Sequence, residues 1–290
     1  MSYLYAIKNI IIKMLSKRPI VKPVHITQLQ MPNMLEGRTA LITGGTSGIG
    51  YSISCAMYNA GADIVITGRS QNHLNNAVER ILQTSSSRNG HILGIVMDMK
   101  DVDKFDSIFQ HIINATPQKQ IDILVNNAGV QEGCFGTTKP EQYDAVLDTN
   151  LRGVYFLSQI TANYMKDNHI KGNILNIASA SSNRPANSPY ILSKWGIKGL
   201  TLGLAKMLIP YEIVVNGIAP GPTATPMLQR DETQGIESDR NPMGRLVSPH
   251  EIANMAVILT SGLGRSIVGD IVYMTGGASL ITLDDVECKI

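Results

Sequence analysis

The sequence predicts the α/β class: one doubly wound parallel sheet of about seven strands, with helices on both faces. Three observations carry that expectation. Short apolar runs alternate with helix-length segments along most of the chain. Those runs are continuously apolar, as strands buried on both faces read, instead of alternating apolar with polar. A glycine-rich turn follows the first run directly. The chain has 290 residues and is 43% hydrophobic, which is enough for one large domain with a real core and too apolar for wholesale disorder.

Thr39–Thr43 reads as the first strand, stopped by glycine, and residues 50–60 follow with helical character. Asp63–Thr67 is the second strand, a polar helix spans about 71–84, and His91–Met97 is the third strand. Ile121–Val125, Asn173–Ile177 and Ile213–Ile218 continue the series, and Asp270–Met274 closes it. Right-handed crossovers through the intervening helices make neighbouring strands parallel. No internal repeat or low-complexity stretch interrupts the order.

Charge divides the chain unevenly. Residues 1–35 carry Lys8, Lys13, Lys17, Arg18 and Lys22 and no acid, which leaves 20 basic and 23 acidic side chains in the rest. With Pro19, Pro23 and Pro32 nearby, residues 1–35 read as a basic extension and 36–290 as the catalytic and dinucleotide-binding domain. Leu4, Ile7, Ile11 and Leu15 fall at helical spacing among the lysines, so contact with an anionic membrane surface, a targeting role, and an arm packed on the body or a partner subunit all stay open.

Composition excludes several classes. A net charge of +2 argues against a dedicated nucleic-acid binder. No apolar run approaches the roughly 18 residues of a membrane span. Cys55, Cys134 and Cys288 lie far apart and form neither a disulfide framework nor a zinc cluster; they suit a reducing compartment, and a cytoplasmic location is expected. The six histidines show no ligand-like pairing, so no metal is expected.

Thr43-Gly44-Gly45-Thr46-Ser47-Gly48-Ile49-Gly50 stands between the first strand and the first helix. Glycines there let the backbone turn sharply and approach a pyrophosphate, and the helix N-terminus offers it free N–H groups and a positive dipole end. The strand–turn–helix context makes this a Rossmann-type dinucleotide site. At the end of the second strand, where NAD enzymes usually carry an acid for the ribose hydroxyls, the chain has Gly68 followed by Arg69. A guanidinium binds a 2′-phosphate that an acid would repel, with Thr46 and Ser47 as added hydroxyl donors, so NADP(H) is preferred over NAD(H).

Tyr190 and Lys194, four residues apart, share one face of a helix that opens after the fifth strand. A nearby ammonium favours the phenolate, so the tyrosine is expected to have a lowered pKa and to pass a proton to or from a carbonyl or alcohol oxygen. Ser179 ends the fifth strand, 11 residues upstream, where a hydroxyl can bond the substrate oxygen. Asn150 lies in the helix after the fourth strand, where an amide can hold a water in a proton relay.

Taken together, these residues resemble the short-chain dehydrogenase/reductase family, in its single-domain branch. The match runs from about Glu36 to about Leu283 and keeps the motifs in order: the Thr43–Gly50 turn, Asp98 after the third strand, Asn126-Asn-Ala-Gly129 after the fourth, Asn150, Ser179, Tyr190 with Lys194, and Pro220-Gly221 after the sixth. The resemblance implies that Tyr190 is the general acid/base and that Lys194 bonds the nicotinamide ribose. It implies that Ser179 polarises the carbonyl and that Asn150 completes the relay. Gly44, Thr46, Ser47, Gly48, Ile49 and Gly50 would take the pyrophosphate, with Arg69 at the ribose. Asp98 and Met99 would meet the adenine, and Asn126, Ala128 and Gly129 would line the adenosine side. Pro220, Gly221, Thr223 and Thr225 would hold the carboxamide. It implies a homodimer or homotetramer, assembled through the helix of Tyr190 with its Gly196, Gly199 and Gly203; packing of those glycines within the chain is the alternative.

The chain departs from the family pattern in three places. The Ser179–Tyr190 loop is short by about two residues, Glu212 and Val214 replace a usual Gly and Arg, and Thr275 precedes Gly276-Gly277 where relatives often have Asp. Residues 223–246 fit the family's variable lid. Its Met227, Leu228 and Met243 suit apolar walls, and Arg230, Arg240 and Arg245 either meet an anionic substrate or pair with Asp231, Glu232, Glu237 and Asp239. The expected activity is hydride transfer between a nicotinamide and a ketone or secondary alcohol, such as a 3-oxoacyl group, a keto-sugar or a small ketone. A cofactor-binding scaffold without turnover is the alternative; a sugar-nucleotide epimerase would need a longer C-terminal part.

Overall fold

The computed structural model describes residues 33–84, 90–228, 235–238 and 241–278. Seven strands form one parallel sheet: β1 (Thr39–Thr43), β2 (Asp63–Gly68), β3 (Ile92–Val96), β4 (Ile123–Asn126), β5 (Asn173–Ile177), β6 (Val214–Pro220) and β7 (Ile271–Met274), in the order β3-β2-β1-β4-β5-β6-β7. Register is set by pairs such as Leu41 opposite Val65 and Leu124, and Asn176 opposite Gly217. Each expected strand is present, with ends shifted by one or two residues.

The connecting helices are α1 (Gly48–Asn59), α2 (Gln71–Leu82), α3 (Phe105–Ala115), α4 (Pro140–Leu147), α5 (Gly153–Asp167), α6 (Pro189–Leu208) and α7 (Pro249–Thr260). Side chains alternate across each strand and so build two cores. Ile42, Ile64, Ile66, Val125 and Ile218 pack with Ile53, Tyr58, Leu74 and Ile252 on the face of α1, α2 and α7. Leu41, Val65, Leu124, Ile174 and Val215 pack with Phe105, Phe109, Leu157 and Ile197 on the face of α3, α5 and α6. This is the doubly wound arrangement.

Local chemistry fixes the element ends. Ser188 caps α6, accepting from Ile191 N, and Pro189 occupies its first position, where no N–H is needed. Ser248 and Glu251 form a reciprocal capping box that starts α7. Between α4 and α5 the helix does not break but takes one π turn over Asp148–Arg152.

The body begins before residue 36. Leu35, assigned by charge to the extension, is wholly buried, and its N–H bonds Ala60 O at 2.7 Å. The readings of residues 1–32, and those of Arg230, Asp231, Glu232, Asp239 and Arg240, fall outside the described residues. Arg245 makes a bidentate pair with Glu251, 2.8 Å on each arm, and stands opposite Glu237 in an isolated antiparallel bridge. Glu251 lies six residues on, already committed to the capping box, which aims it at Arg245. Among the described residues no helix is long and apolar enough to cross a membrane.

Candidate active site

One cleft runs across the carboxyl ends of the strands, over the point where the strand order reverses between β1 and β4, the usual ligand position of an open α/β sheet. The glycine turn, Gly68 and Arg69 after β2, Asp98 and Met99 after β3, and Asn127 to Gln131 after β4 form one end. Ser179 to Ser181, Tyr190, Lys194 and the segment Pro220 to Leu228 form the other.

The turn is built for close backbone approach. Gly44 and Gly48 have φ of +65° and +54°, a region open to glycine and costly for other residues. A Cβ on Gly50 would collide with Gly44 O and the Asn127 amide, and one on Gly44 would lie 3.0 Å from Ala128 Cα. Ser47 stands at the N-cap of α1 but its side chain caps nothing, so the first N–H groups of the helix and the exposed Ser47 hydroxyl face the cleft. Arg69 is exposed beside Gly68, and a side chain at position 68 would press on Thr46, 3.2 Å from a Cβ. Asp98 is the one acid among the described cleft residues, and it stands at the end of β3, beyond β2. The open glycine cradle and free helix terminus fit a dinucleotide pyrophosphate.

At the other end, Ser179 is the N-cap of a 3-10 turn over Ala180–Asn183, and its Oγ accepts from Ser181 N at 3.1 Å. The hydroxyl also acts on the Tyr190 phenol, drawing its pKa down. Lys194 is buried and donates to Ile177 O at 2.8 Å, with its Nζ 5.7 Å from the centre of the Tyr190 ring. Burial lowers its pKa to about 8. The expected lowering of Tyr190 by Lys194 is not what governs the phenol: burial raises its pKa, and the Ser179 hydroxyl opposes that rise. The ammonium is spent on a backbone carbonyl under the ring, and desolvation acts on both groups.

Asn150 sits in the π turn, 1% exposed, and does not line the cleft. Its Oδ1 accepts from Val130 N at 2.8 Å, and its Nδ2 donates to Val130 O at 2.9 Å and Ser193 Oγ at 3.2 Å. Ser193 in turn donates to Tyr190 O at 2.7 Å. The amide thereby clamps the strand-end loop and the helix of Tyr190 together.

Asn126 does not line the cleft either, contrary to expectation. At the end of β4 it points into the core and donates to Ser158 Oγ at 2.9 Å and Asn176 Oδ1 at 2.8 Å. The alternation of a strand sends its neighbour the other way. Asn127 lines the cleft and holds the glycine turn, donating to Thr43 O at 2.9 Å and Gly44 O at 3.1 Å. Sequence reading also missed Val130, Gln131, Thr149 and Arg184 in the cleft wall. Asn127 lies within the Asn126–Gly129 stretch that the resemblance assigns to the adenosine side. The other expected cleft residues, Gly44 to Gly50, Arg69, Asp98, Met99, Ala128, Gly129, Pro220, Gly221, Thr223 and Thr225, are brought together there, apart from the buried Gly45.

A dinucleotide cradle joined to a Ser–Tyr–Lys wall on a doubly wound sheet defines a nicotinamide-type oxidoreductase. Comparison with known proteins agrees. The short chain dehydrogenase family model matches residues 38–235. A 3-oxoacyl-[acyl-carrier-protein] reductase of Thermotoga maritima is 31% identical over 248 residues, covering 84% of this chain and 98% of its own. A gluconate 5-dehydrogenase of Burkholderia cenocepacia, solved with NADP and tartrate, superposes with a TM-score of 0.76 at 28% identity, covering 86% of this chain and 98% of that one. A 3-ketoacyl-(acyl-carrier-protein) reductase of Brucella melitensis, solved with NADH, gives 0.74 at 29%, covering 85% and 100%. The chain belongs to the short-chain dehydrogenase/reductase family, whose members act on CH–OH or keto groups with NAD(P).

Proposed function

We propose that the protein is an NADP(H)-dependent reductase of ketones, or dehydrogenase of the corresponding secondary alcohols, working as a homo-oligomer. The observation that carries the reading is the shared cleft: Ser179, Tyr190 and Lys194 at one end, and Arg69 at the other, with Gly68 in place of an acid at the end of β2.

A bound nicotinamide cofactor supplies the hydride. The chain's own residues do the rest. Ser179 Oγ and Tyr190 Oη, on one wall of the cleft, hold the substrate oxygen between them, and Tyr190 gives it a proton during reduction. Burial keeps the phenol protonated through neutral pH, which suits an acid. Lys194 holds the cofactor ribose and carries charge beneath the phenol. Asn150 is a positioning residue that keeps Val130 and the Tyr190 turn in register. Arg69, Ser47 and Thr46 take the 2′-phosphate, because a guanidinium fork matches a phosphate. The glycine turn takes the pyrophosphate, and the Pro220–Thr225 segment the carboxamide.

Oligomerisation rests on α6. Leu192, Trp195 and Leu202 form an exposed apolar stripe with Gly199, where a Cβ would meet nothing within 4 Å among the described residues. Gly196 differs, since a Cβ there would press on Leu151 of the same chain.

Two substitutions test the reading. Tyr190→Phe is expected to lower kcat at least ~1,000-fold while NADPH affinity, read by its fluorescence, stays within about twofold. Retained turnover would overturn the mechanism. Arg69→Ala is expected to weaken NADPH roughly 10- to 100-fold and NADH little, as losing a charged hydrogen bond does. Equal losses would remove the phosphate assignment.

A further inference from the structure

The substrate end of the cleft has one charged group that the reaction above does not use. Four charged side chains line the described cleft: Arg69, Asp98, Arg184 and Lys194. Lys194 donates to Ile177 O and has the cofactor ribose as its partner in the reaction above. Arg69 and Asp98 stand at the ends of β2 and β3, three and four strands from β5; at ~4.8 Å per strand they are about 14 and 19 Å away across the sheet. Arg184 follows Ser179 by one 3-10 turn, which advances only roughly 2 Å per residue. It lines the same cleft as Ser179, whose hydroxyl meets the substrate oxygen in the reading above.

Its backbone is held with care. Arg184 N donates to Ser181 O at 3.1 Å, and Arg184 O accepts from the Trp195 indole at 2.8 Å. Pro185 restricts Arg184 to an extended conformation, observed at φ −105° and ψ 153°. The residue before it, Asn183, takes hydrogen bonds from Lys198 Nζ at 2.6 Å and Tyr273 Oη at 2.9 Å, tying the turn to α6 and β7. Ser182 closes the same cluster with a bond to Ser179 O at 2.7 Å. The guanidinium itself is exposed and has one hydrogen bond among the described residues, to Ala278 O at 3.1 Å. Among the described residues no carboxylate pairs with it. A cation on a rigid turn, one arm anchored and its remaining N–H donors without a described partner, matches an incoming planar anion.

We propose that Arg184 reads a carboxylate on the substrate, and that this enzyme takes keto or hydroxy acids whose carboxylate lies close to the reacting carbon. The inference rests on the ketone-reductase reading and narrows it. A carrier-bound thioester places its phosphate at the end of a long arm outside the cleft, whereas Arg184 lines the cleft itself, one 3-10 turn after Ser179. Pro226, Met227 and Leu228 supply an apolar wall for the carbon chain.

The test compares levulinate with methyl levulinate, acetoacetate with methyl acetoacetate, and acetoacetyl-CoA, all with NADPH, in wild type, Arg184→Gln and Arg184→Lys. In wild type at least one acid is expected to exceed its ester in kcat/KM by roughly tenfold or more, carried in KM. Arg184→Gln brings that ratio to about one, and Arg184→Lys keeps part of it, because the charge remains without the planar fork. Circular dichroism melts check that the variants fold. Acid and ester used equally by wild type, a ratio that survives Arg184→Gln, or a preference for acetoacetyl-CoA independent of Arg184 would each overturn the proposal while leaving the reductase reading intact. If none of these ketones turns over, levulinate is titrated calorimetrically onto the NADPH complex. Binding lost in Arg184→Gln supports the anion site although the activity assignment fails; no binding to wild type overturns it.

Discussion

Lys194 shows at the scale of one residue how function is set against stability. An ammonium that is 6% exposed, with one backbone carbonyl as its partner, is held at a pKa near 8 against an ordinary 10.5. Because the folded value is depressed, the unfolded chain binds more protons between those two values, and folding stability rises with pH across that window. Lys194→Met is therefore expected to stabilise the fold by about 2 kcal/mol at pH 7, after the lost bond to Ile177 O is deducted, and to abolish turnover. Melting curves read it: the gain should shrink toward zero by about pH 10, and a pH-independent difference would contradict the desolvation account. The same titration sets an activity limb. Reduction should hold steady below neutrality and fall above about pH 8 as the ammonium is lost, whereas the phenol, raised by burial, stays protonated there. The sequence announced the Tyr190–Lys194 pair by spacing alone but said nothing of its electrostatics. A cation nearby implies a lowered phenol only if desolvation is small, and burial of both groups is a tertiary fact.

Elements, not single residues, decide which of two adjacent asparagines faces the ligand. Both follow β4, and only strand register separates them: Asn126 turns into the core beside Ser158 and Asn176, and Asn127 turns up to the glycine turn. A one-residue error in reading register exchanges a structural amide for a ligand-facing one, and sequence alone does not fix where the last pleat falls. The π turn holding Asn150 was likewise invisible, because one widened turn inside a continuous helix leaves the apolar periodicity nearly unchanged. The glycine turn itself was legible, since strand, glycines and helix are contiguous in the chain. Its rigidity is not local, however. The Asn127 amide bonds Thr43 O and Gly44 O, and the Thr43 hydroxyl accepts from Asn127 N and Ala128 N at 3.0 Å each, so β1 and β4 share one joint. Asn127→Ala leaves two carbonyls without that donor and is expected to cost about 1–2 kcal/mol in stability and to weaken NADPH roughly tenfold, with kcat at saturating cofactor less affected. Calorimetry and fluorescence titration together check it; an unchanged Kd would show that the turn holds its shape without the amide.

For the whole molecule, the order of apolar runs was enough to give the sheet, because a parallel doubly wound fold buries nearly every strand on both faces and so writes itself as uninterrupted hydrophobic stretches. What single-chain reasoning left open was the fate of α6, whose glycines suited contacts within the chain or between chains. The two uses divide along the helix. Gly196 lets Leu151 of the adjoining π turn approach, whereas a Cβ on Gly199 or Gly203 would meet nothing within 4 Å among the described residues, and Leu192, Trp195, Leu202 and Met207 remain 44–66% exposed. Tyr155 and Phe156 on α5 add exposed aromatic rings stacked edge to face at 5.4 Å. Large apolar side chains exposed along one helix mark a contact face, and the glycine gap admits a second helix at close range. If a second copy covers this face, Gly199→Trp should block the approach sterically and Leu202→Arg should bury an unpaired charge, each lowering the mass measured by sedimentation toward that of one chain. The order of loss matters. Because α6 also carries Tyr190 and Lys194 at its start, dissociation is expected to lower the melting temperature before it lowers kcat, and a monomeric variant that is fully stable and fully active would show that the stripe has no assembly role.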